Sequence, residues 1–498
     1  MNIKPNIVVI MTDQQRADVS KREGFSLDTT PFLDKLAQEG QWFSRAYTSS
    51  PLCAPARISM LTGRFPSAHH VKINTTINYA FFDKDLIDLL RENGYITAMI
   101  GKNHSHLTPA KFDYWFELGH WGGWQNDRSD LEKAFDEWLK NLYHQVGLEA
   151  TPFPLECQNP YRIVDKAEIW ISSLNTKSPF FLWLSFPEPH NPYQVPEPYF
   201  SMFSLEQLPP LKVGKEVLKL KGYKWEWLRK LGEYIHSNYE NLIPRARANY
   251  FGMLRLLDDQ IKRFIRFLEN TGRLEDTLII FLSDHGDFVG EYGLLRKGVG
   301  VPEVLVRIPL FFYGPNIIKP RGEPHLEFVS IVDIMPTICE FLELSLPKGC
   351  QGRSLYPILY NLDYPKEEFD SIYVEQGFGG LHYDESYDYK FEDALIKFPN
   401  IMIFDELNGC TQSGWLRMIR KGKWKLVIDM QGKGELYDLE ADPFEIDNLY
   451  YNSEYREIKS YMLEELVKWL LRTGDPLPGG DNSKYKMRRN SRNYWSTC

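Results

Sequence analysis

A chain of 498 residues with 43% hydrophobic and 25% charged side chains has an ordinary globular composition, sufficient for one large core and a smaller one. Its 58 Lys and Arg stand against 67 Asp and Glu, and the net charge of -9 gives no basis for a polyanion-binding surface. With no nucleic-acid motif present, any anion the protein handles must be held by a local cluster of basic groups.

Residues 1–5 run straight into the apolar stretch 7–11, which is too short for a signal-peptide core with its cleavage site. No run approaches the roughly 20 residues of a membrane span. The six cysteines, Cys53, Cys157, Cys339, Cys350, Cys410 and Cys498, lie far apart without CxxC pairs, as in a reducing compartment. These features predict a cytoplasmic protein with no membrane contact, or a periplasmic one if a leader has been removed.

Residues 7–11 form a β-rich run ending in Thr12-Asp13, the pattern of a buried strand that delivers a polar residue at its carboxyl end. Similar runs recur at 96–100, 180–185, 278–282 and 308–313. Between them lie helical patterns, the clearest over 245–271, where Leu254, Leu257, Ile261, Phe264 and Leu268 define one apolar stripe that Gly272 terminates. Strands alternating with helices predict an α/β domain with a largely parallel central sheet covered on both faces. After about residue 370 the texture changes to short strand-like runs at 415–420, 424–430 and 435–439, separated by glycine-containing turns. A helix carrying Tyr461, Leu463, Leu466, Val467 and Leu470 follows. The expected division is therefore a catalytic domain over 1–370, an antiparallel α+β subdomain over 371–480, and a polar basic tail or arm over 481–498.

Ligands of α/β sheets collect at the carboxyl ends of strands, and five clusters fall there. They are Asp13; Lys102, His104 and His106 after Gly101; His190 in a Pro-rich segment; Asp284-His285-Gly286-Asp287; and Lys297. Cys53, separately, opens Cys-Ala-Pro-Ala-Arg and leads into Leu61-Thr62-Gly63-Arg64. Each element alone has a structural reading. A strand-end Asp is a cap or turn residue about half the time, a loop His or Lys is more often solvated, and a lone Cys is more often a small apolar core residue. Pro55 could simply be the first-turn proline of a helix running through Leu61. Together they match what hydrolysis of an anionic ester requires: oxygen and imidazole ligands for a hard metal, cations for the ester oxygens, proton carriers, and a nucleophile at a helix start.

The paired motif Cys53-Ala54-Pro55-Ala56-Arg57 and Leu61-Thr62-Gly63-Arg64 resembles the signature of the type I sulfatases, C-x-P-[S/A]-R-x3-L-T-G-R, whose cysteine is oxidised after translation to formylglycine. The strand-end clusters occur in that family's order, and Glu435 to Leu439 with Asp442-Pro443 resembles its closing subdomain, so the likeness spans nearly the whole chain. It implies the fold of the alkaline phosphatase superfamily and a formylglycine-generating maturation enzyme as a partner. It also implies a metal held by Asp13, Asp284, His285 and residue 53. The hydrated aldehyde would attack sulfur through one hydroxyl, activated by the metal, and expel sulfate through the other. Arg57 would steady the hydrate, Lys102 and Lys297 would hold sulfate oxygens, His190 would protonate the leaving alcohol, and His104 would serve the second hydroxyl.

Two features depart from the family pattern. Asp13 is followed by Gln14 where many sulfatases have a second Asp, and Asp284 by His285 where Asn is frequent. These combinations resemble choline sulfatases and phosphonate monoester hydrolases, leave Gln14 open as an extra carbonyl ligand, and make calcium the first choice of metal, with manganese or magnesium left open by the imidazole. A phosphonate or phosphate ester hydrolase is the runner-up activity, disfavoured because Lys102 and His104 stand where sulfatases carry a Lys-x-His pair. A non-enzymatic binding protein would show eroded catalytic positions, and these are intact. The aromatic cluster at 112–116 and 120–124, which includes His120, with Arg128, Tyr193 and Tyr199, makes a sulfated sugar the favoured substrate over an aryl sulfate or choline sulfate; a buried wall of the domain is the equally weighted structural reading.

Overall fold

The computed structural model describes residues 4–143, 145–174, 178–236, 238–379, 414–474 and 492–495, with the backbone alone at 395–398 and 401–404. Cys410 and Cys498 lie outside these residues.

Eight strands form the central sheet: β1 (Asn6–Asp13), β2 (Gln41–Trp42), β3 (Ile96–Gly101), β4 (Tyr114–Gly119), β5 (Gly122–Gly123), β6 (Phe180–Pro189), β7 (Thr277–Ser283) and β8 (Leu310–Tyr313). Their order is β2-β8-β7-β1-β6-β3-β4-β5. The inner five, β7-β1-β6-β3-β4, are parallel, and β8, β2 and β5 add antiparallel edges. The run expected at 308–313 pairs only from Leu310, because Pro309 has no N–H to give the ladder.

Both faces of the sheet are covered, which is why its strands read as continuous apolar runs. Alternate residues of β1 enter opposite cores. Val8 and Ile10 pack with the helices α1 (Pro31–Glu39), α4 (Asn159–Ser173) and α5 (Tyr239–Asn270). Ile7, Val9 and Met11 pack with α2 (Cys53–Thr62), α3 (Leu86–Glu92) and α6 (Ile334–Phe341). The stripe expected over 245–271 lies on α5, which begins earlier, at Tyr239, and accommodates Pro244 near its start.

A second sheet, antiparallel, is built from β9 (Ser371–Gln376), β10 (Leu416–Lys421), β11 (Trp424–Asp429) and β12 (Gly434–Asp438), and α7 (Arg456–Thr473) packs on it. Its core is continuous with one core of the large sheet through Tyr373, Ile419, Leu426, Leu436, Met462, Leu466 and Trp469. The buried stripe of α7 differs from the expected one: Met462, Leu466 and Trp469 face the sheet, whereas Tyr461, Val467 and Leu470 are exposed. Spacings of four and three residues define the seam, and Met462 and Trp469 complete it where Tyr461 and Val467 turn outward. In the polar C-terminal stretch, residues 492–495 form an arm that docks: Asn493 Nδ2 donates to the carbonyls of Cys350 and Gly352, and Tyr494 OH to that of Ser354.

Candidate active site

The chemistry-bearing residues converge where the parallel strands end. β1 delivers Asp13, β7 leads to Asp284 and His285, β3 leads to Lys102 and His104, and β6 leads to His190. Helix α2 contributes Cys53 and, one turn later on the same face, Arg57. That i, i+4 spacing explains why the motif carries its Cys and Arg four residues apart. Gly63 ends the helix in the left-handed conformation with φ 63°, and a Cβ there would meet Cys350 Sγ at 2.6 Å.

Arg57, fully buried, organises the two carboxylates. Its Nη2 lies 3.1 Å from Asp13 Oδ2 and its Nε 2.9 Å from Asp284 Oδ2, while Nη1 donates to Ser185 Oγ and to the carbonyl of Lys102. The Oδ1 atoms of both carboxylates are thereby left toward His285 Nε2, at 3.8 Å from Asp13 and 3.7 Å from Asp284. His285 Nδ1 donates to the Gly286 carbonyl at 2.8 Å, which fixes the tautomer and leaves Nε2 as a ligand atom. Cys53 Sγ sits 3.2 Å from that Nε2 and 3.6 Å from Asp13 Oδ1. One ligand atom from each of Asp13, Cys53, Asp284 and His285 falls within 4.8 Å of the others, all four residues being buried. Two carboxylates and an imidazole converging in this way fit an oxygen-preferring dication.

The electrostatics follow from burial among cations. Burial opposes ionisation of Asp13, but Lys102, His190, Arg57 and Lys297 outweigh it and hold the carboxyl well below its ordinary range. Burial and the Asp13 charge raise Asp284. Burial and Asp13 likewise oppose a Cys53 thiolate, yet Lys102, Lys297 and His285 bring the thiol well below its usual value. Burial lowers His104, which hydrogen-bonds Cys53, and burial with His120 and Lys297 lowers His190 further. Gln14 and His104 both take left-handed backbone conformations, with φ 71° and 43°, outside the usual range for side-chain-bearing residues and typical of functional sites.

The structure brings every sequence-predicted site residue to this cluster and separates the bystanders. Gln14 lies against the cluster: its backbone N–H donates to Asp284 Oδ1 at 3.0 Å, its amide oxygen accepts from Lys297 Nζ at 2.6 Å and its amide nitrogen donates to Asp287. Asp287 accepts from Gln14, Tyr193 OH, and the backbone N–H groups of Val289 and Arg296, a structural knot next to the Asp13, Asp284 and His285 cluster. His106 pairs with Asp85. Three residues grouped with a sugar surface each meet a carboxylate: Arg128 pairs with Asp136, Tyr193 OH donates to Asp287, and Tyr199 OH donates to Asp259. The aromatic segment divides, with Phe112 and Phe116 buried and Trp124 59% exposed. Two further neighbours of the site are Glu188, which the sequence does not mark, and His120, which the sequence groups only with the aromatic cluster. Glu188 is buried and pushed up to about 7 by that burial against a hydrogen bond from Asn159. The His120 Nε2 lies 2.7 Å from Lys102 Nζ. It follows the end of β4, so the strand-end rule that marks Asp13 also marks His120.

Residues 5–344 match the Sulfatase family, and the chain belongs to that family. By class it is a sulfuric ester hydrolase with the alkaline phosphatase-like fold. The chain is 29% identical to an arylsulfatase of Clostridium perfringens, covering 94% of this chain and 95% of that protein. It is 28% identical to a choline-sulfatase of Rhizobium meliloti, covering 90% and 83%. The solved phosphonate monoester hydrolase of Agrobacterium radiobacter shares the fold, with a TM-score of 0.76 at 24% identity over 94% of this chain and 96% of that one.

Proposed function

We propose that this enzyme hydrolyses the sulfate monoester of a mono- or disaccharide through a formylglycine made from Cys53 by a formylglycine-generating maturation enzyme, with calcium as its dication. The observation that carries the reading is the convergence of residue 53 with two carboxylates, an imidazole and three cationic side chains in one buried cluster. A dication, when bound, supplies positive charge that eases ionisation of a hydroxyl and offsets charge developing on the ester oxygens. Everything else falls to the chain's own groups.

One hydroxyl of the residue 53 hydrate loses its proton to solvent and forms a bond to sulfur while the bond from sulfur to the alcohol oxygen breaks. His190 gives that oxygen its proton. Burial and neighbouring cations keep the imidazole neutral at rest, and the negative charge of an arriving ester reverses that balance in favour of the imidazolium. The second hydroxyl then loses its proton to His104, whose lowered pKa suits a base. The bond between the residue 53 carbon and the sulfate oxygen breaks, releasing sulfate and restoring the aldehyde. Arg57 orients the carboxylates throughout, and Lys102 and Lys297 compensate charge on the ester oxygens.

For the alcohol, the exposed Trp124 and the neighbouring Trp121, stacked on Tyr143 at a centroid distance of 5.0 Å, offer aromatic surface on the turn that carries His120. Turnover of sulfated mono- and disaccharides, an aryl sulfate, choline sulfate and a phenyl phosphonate ester tests the reading. The expected order places a sulfated saccharide first and the phosphonate last. Phosphonate in first place would assign the protein to the runner-up activity, and choline sulfate in first place would remove the sugar.

A further inference from the structure

His120 lies between two of the groups assigned to the reaction. Lys102 has no lone pair, so its 2.7 Å contact with His120 Nε2 makes the ammonium the donor and the imidazole the acceptor, with the ring proton on Nδ1. A second N–H of Lys102 goes to Asp13 Oδ2. Two of the three ammonium hydrogens are thus fixed by protein atoms, and the direction of the third is fixed with them. A face of the His120 ring stacks on His190 at a centroid distance of 3.8 Å and an interplanar angle of 26°.

The turn that presents His120 is itself held on several sides. Asn159 Nδ2 donates both to the Gly119 carbonyl and to Glu188 Oε1, tying the end of β4 to the end of β6, which leads to His190. Gly123 N–H donates to Asp136 Oδ2, and Asp136 is in turn clamped by Arg128 and Arg162 at 2.5 and 2.6 Å. At Gly122, with φ 80°, a Cβ would collide with Asp136, so the tight turn after His120 requires glycine.

We infer that His120 is a positioning residue that aims the remaining N–H of Lys102 at a peripheral ester oxygen, and so biases the site toward esters with three such oxygens. A sulfate monoester presents three. A phosphonate monoester presents two and a carbon substituent, which leaves a rigidly held donor without an acceptor in that direction. Without His120 the lysine chain regains rotamer freedom and the bias weakens. The inference rests on the sulfate-ester reading above and adds a selectivity determinant to it.

The test uses mature, metal-loaded enzyme and two substrates with the same leaving group, 4-nitrophenyl sulfate and 4-nitrophenyl phenylphosphonate. His120→Ala should lower kcat/KM for the sulfate by at least about tenfold, the usual scale for one lost charged hydrogen bond. The phosphonate value should change much less, so that the sulfate-to-phosphonate ratio falls. His120→Gln, whose amide oxygen reaches the position of Nε2, should restore most of the ratio, and it carries the test alone if the alanine variant does not fold. Equal losses on both substrates, or no loss on either, with wild-type melting temperature and metal content, would overturn the role of His120 while leaving the sulfatase reading intact. A wild-type enzyme that turns over the phosphonate and not the sulfate would overturn both.

Discussion

Asp13 and Asp284 are each split in function by Arg57, which takes the Oδ2 atom of both and leaves the Oδ1 atoms turned toward His285. Burying two carboxylates is costly unless charge and hydrogen bonds compensate, and here a single planar guanidinium serves both at once. Asp287 sits three residues from Asp284 in sequence and is equally buried, yet its oxygens are occupied by four donors from the surrounding protein. The two aspartates should therefore separate under mutation. Asp284→Ala should abolish bound metal and turnover in a chain that still folds. Asp287→Asn should keep its metal and lower the melting temperature, because it replaces an acceptor oxygen by a donor facing other donors. Metal analysis and thermal unfolding of the two variants decide the matter, and full metal occupancy in Asp284→Ala would contradict the ligand assignment.

At the scale of elements, α1 depends on its neighbour for its start. Thr30, at the N-cap, provides no side-chain hydrogen bond, and the first backbone N–H groups donate instead to Asp258 on α5, Phe32 to Oδ2 at 2.9 Å and Leu33 to Oδ1 at 2.7 Å. Burial raises that carboxyl from its ordinary 3.8 to about 7 against those two bonds. A folded pKa above the unfolded one means the folded state binds the proton more tightly. The stability from this group is then complete below about pH 4 and is lost as pH rises through 7. Asp258→Asn removes the titration, so its melting temperature relative to wild type should improve steadily from pH 5 to pH 8, and a constant difference would contradict the account. The pattern of elements was legible because the parallel strands, buried on both faces, carry unbroken β-branched runs and because Cys53, Arg57 and Leu61 repeat at one helix face. The seam of α7 was not, since Tyr461, Val467 and Leu470 are as apolar as the residues that pack, and only the position of the sheet selects Met462, Leu466 and Trp469. In the same way the motif and strand ends identified Asp13, Lys102, His190 and Asp284, whereas the engagement of Gln14 by Lys297 and Asp287 depends on loops whose approach no spacing encodes.

Across the whole molecule, the second sheet is joined to the first by charge as well as by apolar surface. Lys425 Nζ on β11 is fully buried and donates to the Val301 carbonyl at 2.6 Å, to Glu303 Oε1 at 3.1 Å and to Glu445 Oε1 at 3.0 Å, while Arg420 on β10 meets Glu303 at 2.7 Å. Glu303 and Val301 follow Lys297 closely in the chain, so the smaller sheet buttresses the segment that carries one of the site's cations. Among the described residues no helix is long and apolar enough to cross a membrane. The arrangement gathers strand ends, one helix start and this buttressed segment around residue 53, and the central claim is that this residue acts as an oxygen nucleophile derived from a cysteine. Intact mass spectrometry of the peptide containing position 53, on active protein from a host with the maturation enzyme, tests it directly. The account predicts loss of sulfur and gain of an aldehyde in proportion to activity; full turnover of a sulfate ester by protein whose Cys53 is an unmodified thiol would contradict it.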